Sequence, residues 1–107
     1  MGSDQEFVDY VVEQLQDAGK VWARKMFGEY GLYLNGKIVG LICDNRLFAK
    51  PTEAGRTFIG EVVEAPAYPG AKPSFLIEEG LEDSDWLCEV FRVTEKALPP
   101  PKPKRKR

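Results

Sequence analysis

The side chains that most often perform catalysis or bind metals are sparse in this sequence. Its 107 residues include no histidine, which removes both the commonest general base and the commonest metal ligand. The two cysteines, Cys43 and Cys88, are far apart and lack the Cys-x-x-Cys spacing. We therefore interpret both thiols as small half-buried hydrophobic side chains rather than as nucleophiles or metal ligands.

Carboxylates are the remaining candidates for chemistry. Asp9, Glu13 and Asp17 recur every four residues, so on a helix they would form a row along one face. Such a row could bind a hard cation, but like charges at this spacing usually lie on a solvated face. No Ser, Thr, Cys or Tyr has an obvious activating partner, and no glycine-rich loop has a phosphate-binding pattern. We expect no enzymatic activity, no metal and no cofactor.

The end of the sequence favours contact with nucleic acid. Five basic residues give the last nine positions a charge of +5: Lys102, Lys104, Arg105, Lys106 and Arg107. The residues up to Leu98 carry 17 acidic and ten basic side chains and therefore a net charge of −7. Five cations could reach about five phosphates, so binding would be weak, independent of base sequence and steeply dependent on salt. A solubilising tail without a dedicated partner is the alternative.

The segment 26–34 and the apolar run that follows it together predict a hairpin. Asn35-Gly36 readily supplies the two positive-φ positions of a type I′ turn, so strands are expected at 30–34 and 37–43. Two glycines, Gly28 and Gly31, lie among the aromatic residues of this segment. They would allow positive φ, a bulge, or the close approach of another backbone.

These residues resemble a known family. Met26-Phe27-Gly28-Glu29-Tyr30-Gly31-Leu32-Tyr33, followed by the hairpin and Leu47-Phe48-Ala49-Lys50, is similar to the N-terminal domain of the TfoX/Sxy bacterial competence regulators. The resemblance extends from about Gln5 to about Leu98. It implies an α+β domain with a single antiparallel sheet, and for the two-domain members a role in transcriptional regulation of DNA uptake. Those members carry a second, helical domain, which we do not expect the residues after Leu98 to form.

The aromatic segment has two open interpretations. In one, the glycines let a strongly bent hairpin pack its aromatic side chains. In the other, Phe27, Tyr30 and Tyr33 form an exposed patch for a protein partner. The candidate partner-binding residues are Met26, Phe27, Gly28, Tyr30, Gly31 and Tyr33.

Helices and strands alternate around this segment. Ser3-Asp4-Gln5-Glu6 predicts a capping box at the start of a helix that continues to Ala18, with Gly19 as its C-terminal cap. Strands are then expected at 21–27, 30–34, 37–43 and 47–50, which would form an up-and-down meander.

The second half of the chain begins with a weak helix. Thr52 is its expected N-cap, and Gly55 lies inside it. Three prolines and a glycine in 65–73 exclude regular structure there, and Ser74–Ile77 is expected to join the sheet. Asp83-Ser84-Asp85 begins a final amphipathic helix that should cover the sheet.

We predict an α+β fold: one antiparallel sheet of about five strands with helices packed on it in two layers, in the order α-β-β-β-β-α-β-α. The domain would span residues 3–98, and the tail 99–107 would be disordered. No apolar run approaches the roughly 18 residues that cross a bilayer, and the N-terminus lacks a signal pattern. We expect a cytoplasmic protein without membrane contact.

Two classes of function fit these features. The first is a non-enzymatic regulatory domain that modulates transcription or competence through a protein partner, with weak DNA contact by the tail. The second is a free-standing protein-interaction or chaperone-like module without a nucleic-acid role, which uses a sheet edge or helix face to hold a client or to form a homodimer. Removing the tail would abolish DNA binding in the first case and change nothing measurable in the second.

Overall fold

A computed structural model describes residues 3–26 and 29–99. These residues form three α-helices: α1 (Gln5–Gln14), α2 (Glu53–Ile59) and α3 (Ser84–Ala97). They also form six strands: β1 (Val21–Met26), β2 (Glu29–Leu34), β3 (Lys37–Cys43), β4 (Arg46–Ala49), β5 (Val63–Pro66) and β6 (Pro73–Ile77). The predicted two-layer α+β fold with one antiparallel sheet is confirmed, with six strands where about five were expected.

The strands lie in the order β1-β2-β3-β4-β6-β5, and every neighbouring pair is antiparallel. The predicted meander of the first four strands is therefore confirmed. The chain then passes through α2 and adds β6 beside β4, with β5 at the far edge. This order leaves β1 and β5 as the two edge strands.

Two tight turns connect the meander. Asn35 and Gly36 have φ values of 53° and 87°, as the Asn-Gly prediction requires. The turn between β3 and β4 has no glycine, yet Asp44 and Asn45 also have positive φ, at 55° and 58°. Asp and Asn tolerate this conformation better than other non-glycine residues because their short polar side chains hydrogen-bond locally.

The start of α1 differs from the prediction. Asp4, not Ser3, is the N-cap, and no side chain caps the helix by a hydrogen bond. Ser3 instead donates its backbone N–H and its hydroxyl to Oε1 of Glu29, at 3.0 and 2.9 Å. The predicted capping box is therefore wrong, because the Ser3 side chain is hydrogen-bonded to Glu29 of β2 instead.

The end of α1 also differs from the prediction. The α-helix ends at Gln14, and a short 3₁₀ helix, Gln16–Ala18, completes the segment. Gly19 follows that short helix with a φ of 151°, so it caps the 3₁₀ turn and not the α-helix. The predicted N-cap of α2 is confirmed, since Thr52 accepts from the Gly55 N–H at 2.9 Å. The start of α3 at 83–85 is also as predicted, and Asp83 is its N-cap, accepting from the Trp86 N–H at 3.2 Å.

The proline-rich segment 65–73 is partly strand, and here the prediction is wrong. Pro66 and Pro73 lie opposite each other at the end of the β5–β6 pair. Pro66 belongs to the edge strand and Pro73 is the first residue of its strand, and both are positions that a missing N–H donor permits. The predicted last strand, Ser74–Ile77, does lie in the sheet.

The two faces of the sheet differ in how they are covered. The helices pack on one face, here called the helix face, and bury the main core, which includes Leu15, Leu32, Ile42, Leu47, Phe75 and Phe91. The opposite face, here called the outer face, carries a smaller cluster of Cys43, Phe48 and Ala67. Ala67 follows β5, so the β5–β6 connection covers part of the outer face.

Candidate functional site

The two tyrosines of the predicted partner-binding segment lie on opposite faces of the sheet. Tyr30 shares the helix face with Leu32 and Leu34, whose side chains are fully buried. Tyr33 lies on the outer face, where it pairs with Trp22 of β1. Successive strand residues alternate between faces, so two residues three positions apart cannot share one face of a regular strand.

Tyr30 is half-buried against the main core. Its hydroxyl donates to Gln5 Oε1 of α1 at 3.1 Å. The ring borders a shallow groove of about 300 Å³ between α1 and β1. Tyr30 therefore joins the first helix to the sheet rather than extending the surface formed by Tyr33.

Gly31 lies in regular pairing between Arg24 and Leu41. Among the described glycines, positive φ occurs at Gly19, Gly36, Gly60, Gly70 and Gly80, so the positive φ considered for Gly31 is not observed. The residue is buried, and its missing side chain leaves room between its two neighbours on the outer face. Phe27 and Gly28 lie outside the described residues, as do the five basic tail residues, and only the backbone of Met26 is described.

The most exposed aromatic contact of the outer face joins Trp22 to Tyr33, here called the outer aromatic pair. The two rings are stacked, with centroids 4.2 Å apart and planes within 2° of parallel. Trp22 remains 39% exposed. Trp22 was not among the predicted partner-binding residues, although strand alternation and the β1–β2 register place it beside Tyr33.

One row of paired residues crosses all six strands on the outer face. Following the pairing from β1 to β5, its members are Arg24, Gly31, Leu41, Phe48, Leu76 and Val63. Phe48 is buried, Leu41 and Leu76 are half-buried, and Val63 is exposed. The row therefore forms an apolar strip from Leu41 to Val63, and it has a cation, Arg24, at its β1 end.

The β1 edge beside this strip is open. No strand within residues 3–26 and 29–99 pairs with the free side of β1. Edge strands present unpaired N–H and C=O groups to a second chain. Lys20, Arg24 and Lys25 are all exposed on or beside β1, while Asp9 and Glu13 of α1 line the groove between α1 and β1. The strand itself is therefore basic although the body of the chain is acidic.

Glu29 has a structural role next to the aromatic residues. Its Oε1 accepts both hydrogen bonds from Ser3, and its Oε2 accepts from the Asp44 N–H at 2.9 Å. The carboxylate thus joins the start of the chain and β2 to the turn that follows β3. Burial raises the pKa of the neighbouring Cys43 thiol, and the negative charge of Glu29 raises that pKa further. This thiol is poorly suited to act as a nucleophile at neutral pH.

A second concave surface lies where α2 ends and α3 begins. This groove has a volume of about 720 Å³ and an apolar floor that includes Ile59, Phe75 and Trp86. The charged residues that line this groove are Glu61, Glu78 and Glu79, so we call it the acidic groove. The sequence alone does not predict this groove, because three elements distant in sequence must come together to form it.

The described ranges contain neither a metal-binding cluster nor a membrane-spanning helix. No three His, Cys, Asp or Glu side chains there are grouped so that they could hold a metal ion. No helix in the same ranges has the length and apolar character needed to cross a membrane.

Comparison with known proteins agrees with the resemblance in the hairpin. The family described as TfoX N-terminal domain matches residues 13–98, which contain all six strands, α2 and α3. A relative from Spirochaeta aurantia, described as an uncharacterized 12.7 kDa protein in the trpE 5′ region, is 40% identical over 105 residues. That alignment covers 98% of this chain and 91% of the relative. The chain belongs to the TfoX N-terminal domain family.

Proposed function

We propose that this chain is a non-enzymatic, cytoplasmic regulatory domain that acts in transcription through a protein partner bound at β1. The observation that carries this proposal is the exposed outer aromatic pair, Trp22 and Tyr33, beside an unpaired strand edge. Tryptophan and tyrosine dominate binding energy at many protein interfaces. Family membership supports the regulatory role, since the resemblance links two-domain relatives to the control of DNA uptake.

The charges along β1 indicate the chemistry of the partner. Lys20, Arg24 and Lys25 are exposed on or beside this strand. An extended segment that carries carboxylates would pair its backbone with β1 and neutralise these cations. An apolar side chain of the same segment would pack on the outer aromatic pair. The partner is thus an acidic, extended protein segment.

A labelled octapeptide of alternating Glu and Val tests this pairing, with a Lys and Val peptide of equal length as control. We expect the full chain to bind the acidic peptide and not the basic one. The substitutions Arg24→Glu and Lys25→Glu together should weaken binding about tenfold or more, because two attractive contacts become repulsive.

The matched control carries Lys72→Glu and Lys96→Glu, which make the same change in net charge at two exposed positions outside β1. This variant should bind nearly as well as the parent chain. Equal losses in both variants would mean that the peptide responds only to net charge, and the β1 site would then be wrong.

The second part of the proposal is weak DNA contact through the tail. The residues up to Leu98 carry a net charge of −7 and are repelled by DNA, so the five basic tail residues must supply the attraction. A labelled duplex should bind the full chain with a steep salt dependence. A full-length variant with all five cations changed to Gln should not bind. If the parent chain also fails to bind at low salt, the DNA contact is excluded and the peptide experiment still tests the partner site.

The open β1 edge supports the second candidate, a free-standing interaction module without a nucleic-acid role. Its β1 edge could then pair with the β1 edge of a second copy. Sedimentation of the full chain would show a dimer that dissociates in the Trp22→Ala variant if the two copies interact through their outer aromatic pairs.

A further inference from the structure

The acidic groove has an aromatic wall. Trp86 lines it, and the Phe58 ring lies beside Trp86 with centroids 6.4 Å apart. Phe58 is 38% exposed although it is a large apolar side chain. The groove therefore offers the Trp86 ring to a ligand, and the exposed Phe58 ring lies directly beside it.

The charged residues that line this groove are all acidic. Glu61, Glu78 and Glu79 are exposed, and no lysine or arginine of the described ranges is among the lining residues. Arg56 of α2 lies over the ring of the lining residue Phe75, 5.3 Å from its centroid, and is paired with Glu64 of β5. A ligand that fits this surface must combine cations for the rim with flat apolar groups for the aromatic wall.

The last nine residues of this chain have that combination. They contain four prolines and five cations in the sequence Pro-Pro-Pro-Lys-Pro-Lys-Arg-Lys-Arg. Proline-rich segments bind to aromatic-lined grooves because the polyproline conformation loses little entropy on binding. The proline rings of the tail would pack on Phe58 and Trp86, while its lysines and arginines approach the glutamates of the groove.

The tail can reach the groove of its own chain. Trp86 and Leu98 lie near opposite ends of α3, twelve residues apart, which corresponds to about 18 Å along a helix. Nine residues in an extended polyproline form span about 28 Å. The starting point is held in place, since Lys37 Nζ donates to the Leu98 carbonyl oxygen at 3.0 Å.

Helix α2 lies beside α3 between Leu98 and the acidic groove. A Cβ at Gly55, near the start of α2, would lie 3.4 Å from Thr94 Oγ1, near the end of α3. Phe58, near the end of α2, lies beside Trp86 at the start of α3. The two helices are therefore antiparallel, and together they lead from Leu98 back to the groove.

We propose that the acidic groove binds the basic, proline-rich tail 99–107 of the same chain. Binding to the groove and binding to phosphate are then mutually exclusive for these five cations. The acidic body thus acts as an internal competitor of nucleic acid. This contact is intramolecular and its test requires no DNA, so it stands or fails independently of the proposed function.

Nuclear magnetic resonance of the full chain provides the test. The chain has two tryptophans, Trp86 in the groove and Trp22 on the outer face, so the second indole signal serves as an internal control. We expect the Trp86 indole and the amides of Glu78 and Glu79 to shift when the five tail cations are changed to Gln. The Trp22 indole should not shift. About 1 M NaCl should shift the groove signals of the parent chain in the same direction, since the Debye length is then about 3 Å.

A matched pair of full-length variants tests the acidic rim. Glu78→Gln with Glu79→Gln removes two charges from the groove, whereas Asp9→Asn with Glu13→Gln removes two exposed charges from α1. The effect of neutralising the tail on Trp86 should be lost in the first variant and retained in the second.

Three results would overturn the proposal. In the first, neutralising the tail leaves the Trp86 signal unchanged. In the second, the groove variant and the α1 variant respond alike to neutralising the tail. In the third, the effect on Trp86 grows with protein concentration, which would mean that the groove binds the tail of a second copy. Each measurement uses a spectrum that also reports whether the variant is folded.

Discussion

At the scale of single residues, the most informative contrast is between Tyr30 and Tyr33. Both belong to one short aromatic segment, but one packs against the main core and the other stacks on Trp22 at the surface. Their sequence context is nearly the same, and strand alternation alone gives them different roles.

We expect Tyr30→Ala to destabilise the fold by about 2–4 kcal/mol, because it removes core contacts and the hydrogen bond to Gln5. Tyr33→Ala should cost only about 0.5–1.5 kcal/mol, the range of a surface aromatic pair. Urea unfolding of both variants measures the difference. A larger loss for Tyr33→Ala would mean that the outer face is a core and not a surface for a partner.

Cys43 supplies a prediction about pH. Burial and the charge of Glu29 raise the pKa of its thiol above the ordinary value of 9.0, so the folded chain keeps this proton when the unfolded chain releases it. Stability should therefore fall as the pH rises above about 9, because the unfolded state then binds fewer protons. The Cys43→Ala variant should lose stability less steeply in that range. Identical slopes for parent and variant, measured by urea unfolding between pH 8 and 10 (about the thiol range), would contradict the pKa shift.

At the scale of elements, caps and turns separate correct from incorrect predictions. The cap at Thr52 forms as predicted, and Asp83 caps α3 in the same way, because each side chain has a helix N–H within reach and no stronger partner. Ser3 has a stronger partner in the Glu29 carboxylate and does not cap α1. A local motif is reliable only where no distant charged group competes for the same side chain.

The cap of α2 can be tested with a matched control in the same helix. Thr52→Ala should cost about 1 kcal/mol, since the Gly55 N–H loses its acceptor at 2.9 Å. Thr57 is exposed within α2, and Thr57→Ala should change stability by less than about 0.5 kcal/mol. Thermal unfolding of the two variants compares the effects directly, and equal shifts would show that the Thr52 hydroxyl contributes nothing as a cap.

At the scale of the whole molecule, Lys37 connects the two layers. It begins β3, and its Nζ donates to the Glu95 and Leu98 carbonyl oxygens at the end of α3, at 2.8 and 3.0 Å. The same nitrogen lies 3.2 Å from Glu95 Oε2. Both side chains are more than four-fifths buried, so these contacts are shielded from solvent. The lysine thereby satisfies helix-end carbonyls and positions the start of the tail.

Lys37→Met keeps the aliphatic length and removes the donor. We expect a loss of about 1–3 kcal/mol, because two carbonyls and a mostly buried carboxylate lose their partner. Lys96→Met, at an exposed position of α3, is the control and should be nearly neutral. If both variants unfold at the same urea concentration, Lys37 does not hold the two layers together.

Much of the fold followed from local patterns. The Asn35-Gly36 turn, the apolar run of β3 and the amphipathic stripe of α3 each specify their structure through neighbouring residues, and the structure agrees with all three. The β5 strand was missed because Pro66 and Pro73 oppose strand formation except at the edge of a sheet, and edge position is a property of the assembled sheet.

The amino-acid sequence by itself determined the family, the α+β class, the meander and the separation of an acidic body from a basic tail. Only the tertiary structure decided that Trp22 stacks on Tyr33, that β1 is a basic open edge, and that Trp86 joins three glutamates in one groove. The physical reason is the same for all three. Turns, helices and charge runs depend on residues a few positions apart, whereas a surface site depends on which distant elements pack side by side.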